Sequence, residues 1–240
     1  MTTLFISDLH IDANRPPIVR QFLDFLEAQA AHADALYILG DLFESWIGDD
    51  APDSAQMAVI AGLRALTGSG VPCFVMHGNR DFLLSTRFCL ESGAQLLGDP
   101  VIITLYGERI LVMHGDALCT DDHAYQRLRA TVRDADWQAR FLGLSIKARR
   151  ALAGAAREGS QAHTAAMEYS ITDVNADSVA AVLRGAALTT LLHGHTHRPA
   201  IHALKVDGRP CTRIVLGDWF DQGSLLRWDQ NGPELVSLAR

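Results

Sequence analysis

One pattern recurs down this chain and constrains its fold more than any other: an apolar, strand-like run that ends directly on a side chain able to hold a metal ion. Leu4-Phe5-Ile6 leads into Ser7-Asp8-Leu9-His10, and Leu36-Tyr37-Ile38-Leu39 into Gly40-Asp41. Cys73-Phe74-Val75-Met76 leads into His77-Gly78-Asn79-Arg80-Asp81, and Ile110-Leu111-Val112-Met113 into His114-Gly115-Asp116. Leu191-Leu192 leads into His193-Gly194-His195-Thr196-His197. Apolar runs this short read as strands rather than helices. Five that end alike are expected to converge on one rim of a sheet, where open α/β folds build their sites.

At 240 residues the chain suits one large domain or a domain with an insertion. A net charge of −7 with no long basic block excludes a bulk electrostatic nucleic-acid binder. Cys73, Cys89, Cys119 and Cys211 are scattered with no C-x-x-C pair, as expected of reduced thiols rather than a disulfide frame or zinc knuckle. The amino terminus runs straight into a strand and a motif, so no signal peptide is expected. No apolar run reaches bilayer-spanning length, so any membrane contact is expected to be peripheral.

The first part alternates strand and helix. Pro16-Pro17 suits a helix start, with Ile18, Phe22, Phe25 and Leu26 following at helical spacing. A second helix is predicted over 53–66, ended by Gly68-Ser69-Gly70, then strands over 71–76, 101–106 and 109–113, with a tight hairpin at Gly107. Further strands are predicted near 188–193, 212–217 and 224–228. Residues 121–186 differ: rich in alanine and arginine, helical, without a strand. The expected organisation is a core of 1–120 and 187–240 with a helical cap inserted at 121–186.

Asp8 and His10 flank one residue, and on an extended segment both would project to one face; His195 and His197 repeat that spacing. Taken singly, D-x-H, G-D, G-N and H-G are ordinary strand-end turns. Together they point to metal. Carboxylate, imidazole and amide oxygen suit a hard-to-borderline divalent ion such as Mn²⁺, and the lack of a cysteine argues against structural zinc.

The ordered series D-x-H, G-D, G-N, H-G and G-H-x-H resembles the calcineurin-like metallophosphoesterases, over essentially the whole chain outside the insertion. The resemblance implies an α/β fold: a β-sandwich flanked by helices, four layers αββα, with two metal ions at the carboxyl rim of the strands. Asp8, His10, Asp41 and His197 would hold one ion, and Asp41 as a bridge, Asn79, His114 and His195 the other. Paired ions activate water and neutralise transferring phosphoryl oxygens. His77 and His193 have no role in this transfer and read as packed strand-end histidines.

Most members of the superfamily continue G-N-H, whereas this chain has Gly78-Asn79-Arg80-Asp81-Phe82-Leu83. Arginine stays charged and cannot deliver a proton, but its fork suits phosphate oxygens. G-N-R-D-F-L is similar to the UDP-2,3-diacylglucosamine pyrophosphatases of lipid A synthesis. So are Ile38–Glu44 with Trp46–Asp50, Met113–Asp116 with Leu118–Asp122, His193–Ala200, and Leu216-Gly217-Asp218-Trp219. This resemblance implies attack by a metal-activated water on the α-phosphorus of UDP-2,3-diacylglucosamine, giving UMP and 2,3-diacylglucosamine 1-phosphate (lipid X). Asp41, Asn79, Arg80, His114 and His195 would be catalytic. Asn79, Arg80, Asp122, Ser160, Thr164, Met167 and His195 would contact substrate. Met167 stands where the family is expected to carry lysine and cannot pair with a phosphate, leaving that contact to a shifted helix register or to Arg157.

In the cap, Phe141, Leu142, Leu144, Ile146 and Leu152 are expected to line an apolar chamber faced by Trp46, Phe82 and Leu84. Arg140, Lys147, Arg149, Arg150 and Arg157 form a basic run that suits either a solvated helix face or an anionic membrane surface. The resemblance implies a cytoplasmic enzyme, peripheral on the inner membrane of a Gram-negative bacterium, with no obligate protein partner. Other readings stand beside it. A small-nucleotide phosphodiesterase or diadenosine tetraphosphate hydrolase would share the ligands but lack G-N-R-D-F-L and the cap. A non-catalytic scaffold, like the superfamily member of the retromer coat, would be expected to have lost ligands, and none is missing. A nuclease is disfavoured by the acidic balance and the lack of an aromatic-basic groove pattern.

Overall fold

The computed structural model describes residues 1–166 and 173–238, with side chains for all of these except 160–166. Among them are eleven strands: β1 (Thr3–Ile6), β2 (Ala35–Ile38), β3 (Cys73–Met76), β4 (Gln95–Leu97), β5 (Val101–Leu105), β6 (Glu108–Met113), β7 (Thr190–His193), β8 (Ala200–Val206), β9 (Arg209–Val215), β10 (Gly223–Asp229) and β11 (Gly232–Leu238). They form a six-stranded sheet, order β11-β10-β1-β2-β3-β4, and a five-stranded sheet, order β5-β6-β7-β9-β8.

Period-two burial stacks these sheets. Phe5, Leu39, Met76, Leu226 and Trp228 of the first sheet meet Ile110, Val112, Leu192 and Ile214 of the second in one apolar cluster. The alternate residues Leu4, Ile6, Leu36, Ile38 and Val75 face outward against helices α1 (Pro16–Ala28), α2 (Ser54–Gly68) and α3 (Thr86–Ser92). On the far side Leu111, Met113 and Leu191 pack under Val179 and Leu183. Each such side chain contributes roughly 1.5–3 kcal/mol on burial, so a charge at Ile38 or Val112 would split the layers. The order is helix, sheet, sheet, helix, as expected. Local signals start the helices: Pro16 and Pro17 occupy the first turn of α1, and Asp53 with Gln56 forms a capping box on α2.

The insertion continues as α4 (His123–Val132), α5 (Ala135–Leu142), α6 (Ile146–Ala166) and α7 (Ala176–Ala186). Val179 and Leu183 belong to α7, so that helix packs on the second sheet as its outer layer. β4, β8 and β11, all at sheet edges, lack a prediction. The β8–β9 hairpin turns on Asp207 and Gly208 at φ 51° and 79°, the same left-handed pair as Tyr106-Gly107 between β5 and β6.

Candidate active site and metal centre

β1, β2 and β3 run parallel, as do β6 and β7. The residues just beyond their carboxyl ends therefore meet. Asp8, His10 and His197 each present a donor atom within 4.8 Å of the others, and Asp41, His114 and His195 do the same. Asp41 faces both groups: Oδ2 lies 3.8 Å from His10 Nε2, and Oδ1 3.8 Å from His114 Nε2. Asn79 Oδ1 lies 3.0 Å from His114 Nε2 and 2.9 Å from His195 Nδ1. All seven sequence-predicted ligands come together.

The backbone brings them there by a different route from the one expected. Asp8, His10, Asp41, His195 and His197 have φ of 55°, 49°, 51°, 66° and 56°, so neither D-x-H nor H-x-H lies on an extended segment. Left-handed backbone at a non-glycine residue costs roughly 1–3 kcal/mol. The turns are held across the sheet, Asp8 N–H donating to the Gly40 carbonyl at 3.1 Å and His10 N–H to the Asp41 carbonyl at 3.0 Å. Close approach explains two motif glycines: a Cβ at Gly78 would overlap the Asp41 carboxylate, and one at Gly194 the Asp8 carboxylate and Ser7 hydroxyl.

Outer partners orient the imidazoles. Glu44 Oε2 lies 3.0 Å from His10 Nδ1, and Asp218 Oδ2 3.3 Å from His197 Nδ1. His114 Nδ1–H donates to the Leu39 carbonyl at 2.8 Å. Each leaves Nε2 aimed into the cluster, the arrangement of a metal-binding histidine. Asp81 accepts from the backbone N–H groups of Leu42 and Gly78, both at 2.8 Å, tying the second and third motifs together. Tyr125 stacks near His195 and donates to Asp116 Oδ2 at 2.7 Å. The supporting roles of Glu44, Asp81, Tyr125 and Asp218 are not predicted from sequence. Asp218 has a signal, since it follows Gly217 after an apolar strand just as Asp41 follows Gly40.

The electrostatics fit cations. Asp8 Oδ1 is buried without a well-formed hydrogen bond, and His10 Nε2 faces His197 Nε2 at 3.3 Å. Burial opposes charge on His114, yet Asp41, Asp116 and Asp8 hold its pKa up at about 9. Burial likewise opposes charge on His197, while Asp8 and Asp218 raise it to about 10. Burial, with the cationic His114 alongside, pushes His195 down to about 3. Protons on His114 and His197 thus occupy places where divalent ions would supply the compensating charge.

A cavity of about 400 Å³ opens from this rim under the cap. Asn79, Arg80, Asp116 and Arg157 line its polar end, and Trp46, Phe82, Trp137, Phe141 and Leu152 its apolar walls. Of the expected chamber residues, Leu84 and Leu142 instead line an adjacent groove, while Leu144 and Ile146 are 41% and 38% exposed and line neither. The expected basic run also divides. Arg149 is buried and donates to the Ile47 carbonyl and Asp50, both at 2.7 Å. Arg157 pairs with Asp12 at 2.9 Å and Glu44 at 3.0 Å. Both clamp the cap to the core: Arg149 as a buried guanidinium that needs partners, and half-buried Arg157 through its two carboxylates. Arg140, Lys147 and Arg150 remain exposed. The Asp122 carboxylate caps α4 by accepting from Tyr125 N–H at 2.9 Å. The side chains of Ser160 and Thr164, and all of Met167, lie outside the described residues.

Comparison with known proteins agrees with this geometry. The profile of the calcineurin-like phosphoesterase family matches residues 1–199. The UDP-2,3-diacylglucosamine hydrolase of Stenotrophomonas maltophilia strain R551-3 is 54% identical over 247 residues, and that of Xanthomonas axonopodis pv. citri 53% over 246 residues. Each alignment covers 100% of both chains. A solved archaeal phosphodiesterase shares the fold, with a TM-score of 0.50 at 10% identity over 99% of this chain and 100% of that one. With its profile matched through the last of the five motifs and its relatives aligned end to end, the chain belongs to the calcineurin-like phosphoesterase family.

Proposed function

We propose that this protein hydrolyses the pyrophosphate of UDP-2,3-diacylglucosamine, releasing UMP and 2,3-diacylglucosamine 1-phosphate. The observation that carries the reading is one continuous cavity, with Asn79 and Arg80 at its polar end and Trp137 and Phe141 at its apolar end. A pyrophosphate needs the first and an acyl chain the second. Full-length relatives that bear this activity as their name support it.

The donor set suits two divalent ions, most simply Mn²⁺, because it mixes carboxylate, imidazole and amide oxygen without thiolate. Bound there, such ions neutralise phosphoryl oxygens and acidify water. The remaining tasks fall to the chain. Asp41 offers one oxygen to each group, while Glu44, Asp218 and the Leu39 carbonyl hold three imidazoles in the tautomer that points Nε2 inward. Asn79 and His195 meet the phosphate at the rim, and Arg80 extends a guanidinium fork that stays charged throughout. Asp122, Ser160, Thr164 and Met167 are the further substrate contacts of this reading, with Arg157 at the polar end of the cavity. In the overall reaction, the oxygen of water bonds to the α-phosphorus and the bond from that phosphorus to the bridging oxygen breaks. The acylated sugar leaves with its phosphate.

The cap is also the membrane-facing side in this reading. Exposed Leu144 and Ile146 lie beside exposed Arg140, Lys147 and Arg150, and each basic side chain near an anionic surface is worth about 1 kcal/mol. Among the described residues no helix is long and apolar enough to cross a membrane. Peripheral attachment to the cytoplasmic face of the inner membrane follows from a lipid substrate met this way. The test is to incubate pure protein with UDP-2,3-diacylglucosamine and Mn²⁺ and separate the nucleotides. UMP, absent when a chelator is added, is the expected product; UDP, or no nucleotide release, would refute the assignment.

A further inference from the structure

Three of the four imidazoles at the rim are turned by a group outside the ligand set: His10 by Glu44, His197 by Asp218 and His114 by the Leu39 carbonyl. His195 differs. Among the described residues its ring nitrogens meet only Asn79 Oδ1, at 2.9 Å, and Asn79 is itself a candidate ligand. What lies on the ring is Tyr125, with centroids 5.9 Å and planes 29° apart, while His114 meets it edge-on at 5.1 Å. Tyr125 belongs to α4. The side chain that packs on His195 therefore comes from the cap and not from the core.

Helix α4 is fastened there by one face. Tyr125, Gln126 and Arg129 share that face, and all three reach the loop that follows β6. The Tyr125 hydroxyl donates to Asp116 Oδ2 at 2.7 Å, and Arg129 Nε to the same oxygen at 2.8 Å. Gln126 Nε2 donates to the carbonyls of Asp116 at 2.9 Å and Cys119 at 3.0 Å. Arg129 also faces Asp99 Oδ2 at 3.7 Å, and Asp99 Oδ1 accepts the His114 N–H at 3.3 Å. Asp116 is fully buried, and a charged acceptor bonded by two donors away from water holds them firmly. Burial and the Asp116 charge push the Tyr125 phenol up, so its hydroxyl keeps the proton it donates. Resting on the role of His195 at the rim proposed above, and not on the identity of the substrate, we infer that Tyr125 is the positioning residue for His195. Asp116 and Arg129 hold Tyr125 in place. The cap then sets the geometry at phosphorus as well as covering it.

A change in a cap helix should therefore slow a substrate too small to need the cap. Tyr125→Leu removes the ring and should lower kcat by about ten- to hundredfold, the cost of misplacing a reacting group by about 1 Å. The loss should be alike on UDP-2,3-diacylglucosamine and on bis(p-nitrophenyl) phosphate, with KM for the lipid and the Mn²⁺ content near wild type. Tyr125→Phe keeps the ring and should recover most of the loss. Position is read without turnover in crystals of the full-length variant grown free of metal. There the His195 imidazole should leave Asn79 Oδ1, while His10, His114 and His197, each with its own partner, stay in place. Should the leucine chain not fold, Arg129→Met, which frees the ring without removing it, carries the same expectations for kcat and for His195. A loss confined to the lipid or carried by KM would make Tyr125 a substrate contact and overturn the inference. So would an unmoved His195, or a phenylalanine variant as slow as the leucine one. If wild type cuts only bis(p-nitrophenyl) phosphate, the proposed substrate falls, and kcat on the diester with the crystals still decides the role of Tyr125.

Discussion

Replacing Asp41 with asparagine should invert the order of stability between metal-free and metal-loaded protein. Asp41 is 2% exposed. Burial first, then the charges of His114 and His10 in opposition and of Asp81 and Asp8 in support, leave its pKa raised. A carboxyl group with a raised folded-state pKa loses its proton more easily in the unfolded chain, so at neutral pH its ionisation favours unfolding. Asparagine removes that charge and keeps an oxygen to accept the Arg80 N–H, which now donates to Asp41 Oδ1 at 2.8 Å. Without metal, the variant should melt no lower than wild type. With metal the sign changes. An ion at about 100 times its Kd adds about 2.7 kcal/mol to the stability of the form that binds it. In a chain of this size each kcal/mol moves Tm by about 2–4 °C, so each ion should raise wild type by roughly 5–10 °C. The variant has one amide oxygen where two carboxylate oxygens faced two groups, and should show at most half the wild-type shift. Calorimetry with chelator, then with graded Mn²⁺, measures both limbs. Equal shifts in the two proteins, or a metal-free variant several degrees less stable than wild type, would show that Asp41 is a structural hydrogen-bond partner and no metal bridge.

Arg80→Ala keeps the backbone N–H that supports Asp41, so metal content should stay at the wild-type level while kcat/KM falls by about one to two powers of ten, the worth of a charged hydrogen bond; loss of an ion from the purified variant would sink that separation. Phe141→Ala should cost about 1–3 kcal/mol in transition-state binding of the diacylated substrate. Ile146→Ala, at a position lining neither cavity, should leave it unchanged in surfactant, and a soluble phosphodiester hydrolysed by all three proteins serves as the folding control.

The seven candidate ligand positions are legible in the chain because each falls within five residues of the end of a short apolar run. Strand character and the side-chain alternation that buries Phe5 on one side and Leu4 and Ile6 on the other are properties of near neighbours. Parallel strands carrying their motifs at the same end can only deliver them to the same rim. The starts of α1 and α2 are equally local, written in Pro16-Pro17 and in Asp53 with Gln56.

Other features depend on partners far away in sequence. Nothing near Asp8 requires it to be left-handed; the turn is held by the Gly40 carbonyl and cleared by the missing Cβ of Gly194. Arg149, Arg150 and Arg157 are alike as sequence, but packing buries the first against Asp50, leaves the second in water and pairs the third with Asp12 and Glu44. The same holds for α7, whose amphipathic pattern suits a cap or a core layer equally until Leu111, Met113 and Leu191 present it with an apolar sheet. Periodicity states which face of an element must be covered. Only the folded chain decides what covers it, because the free energy of burial and charge pairing depends on contacts between segments the sequence holds apart.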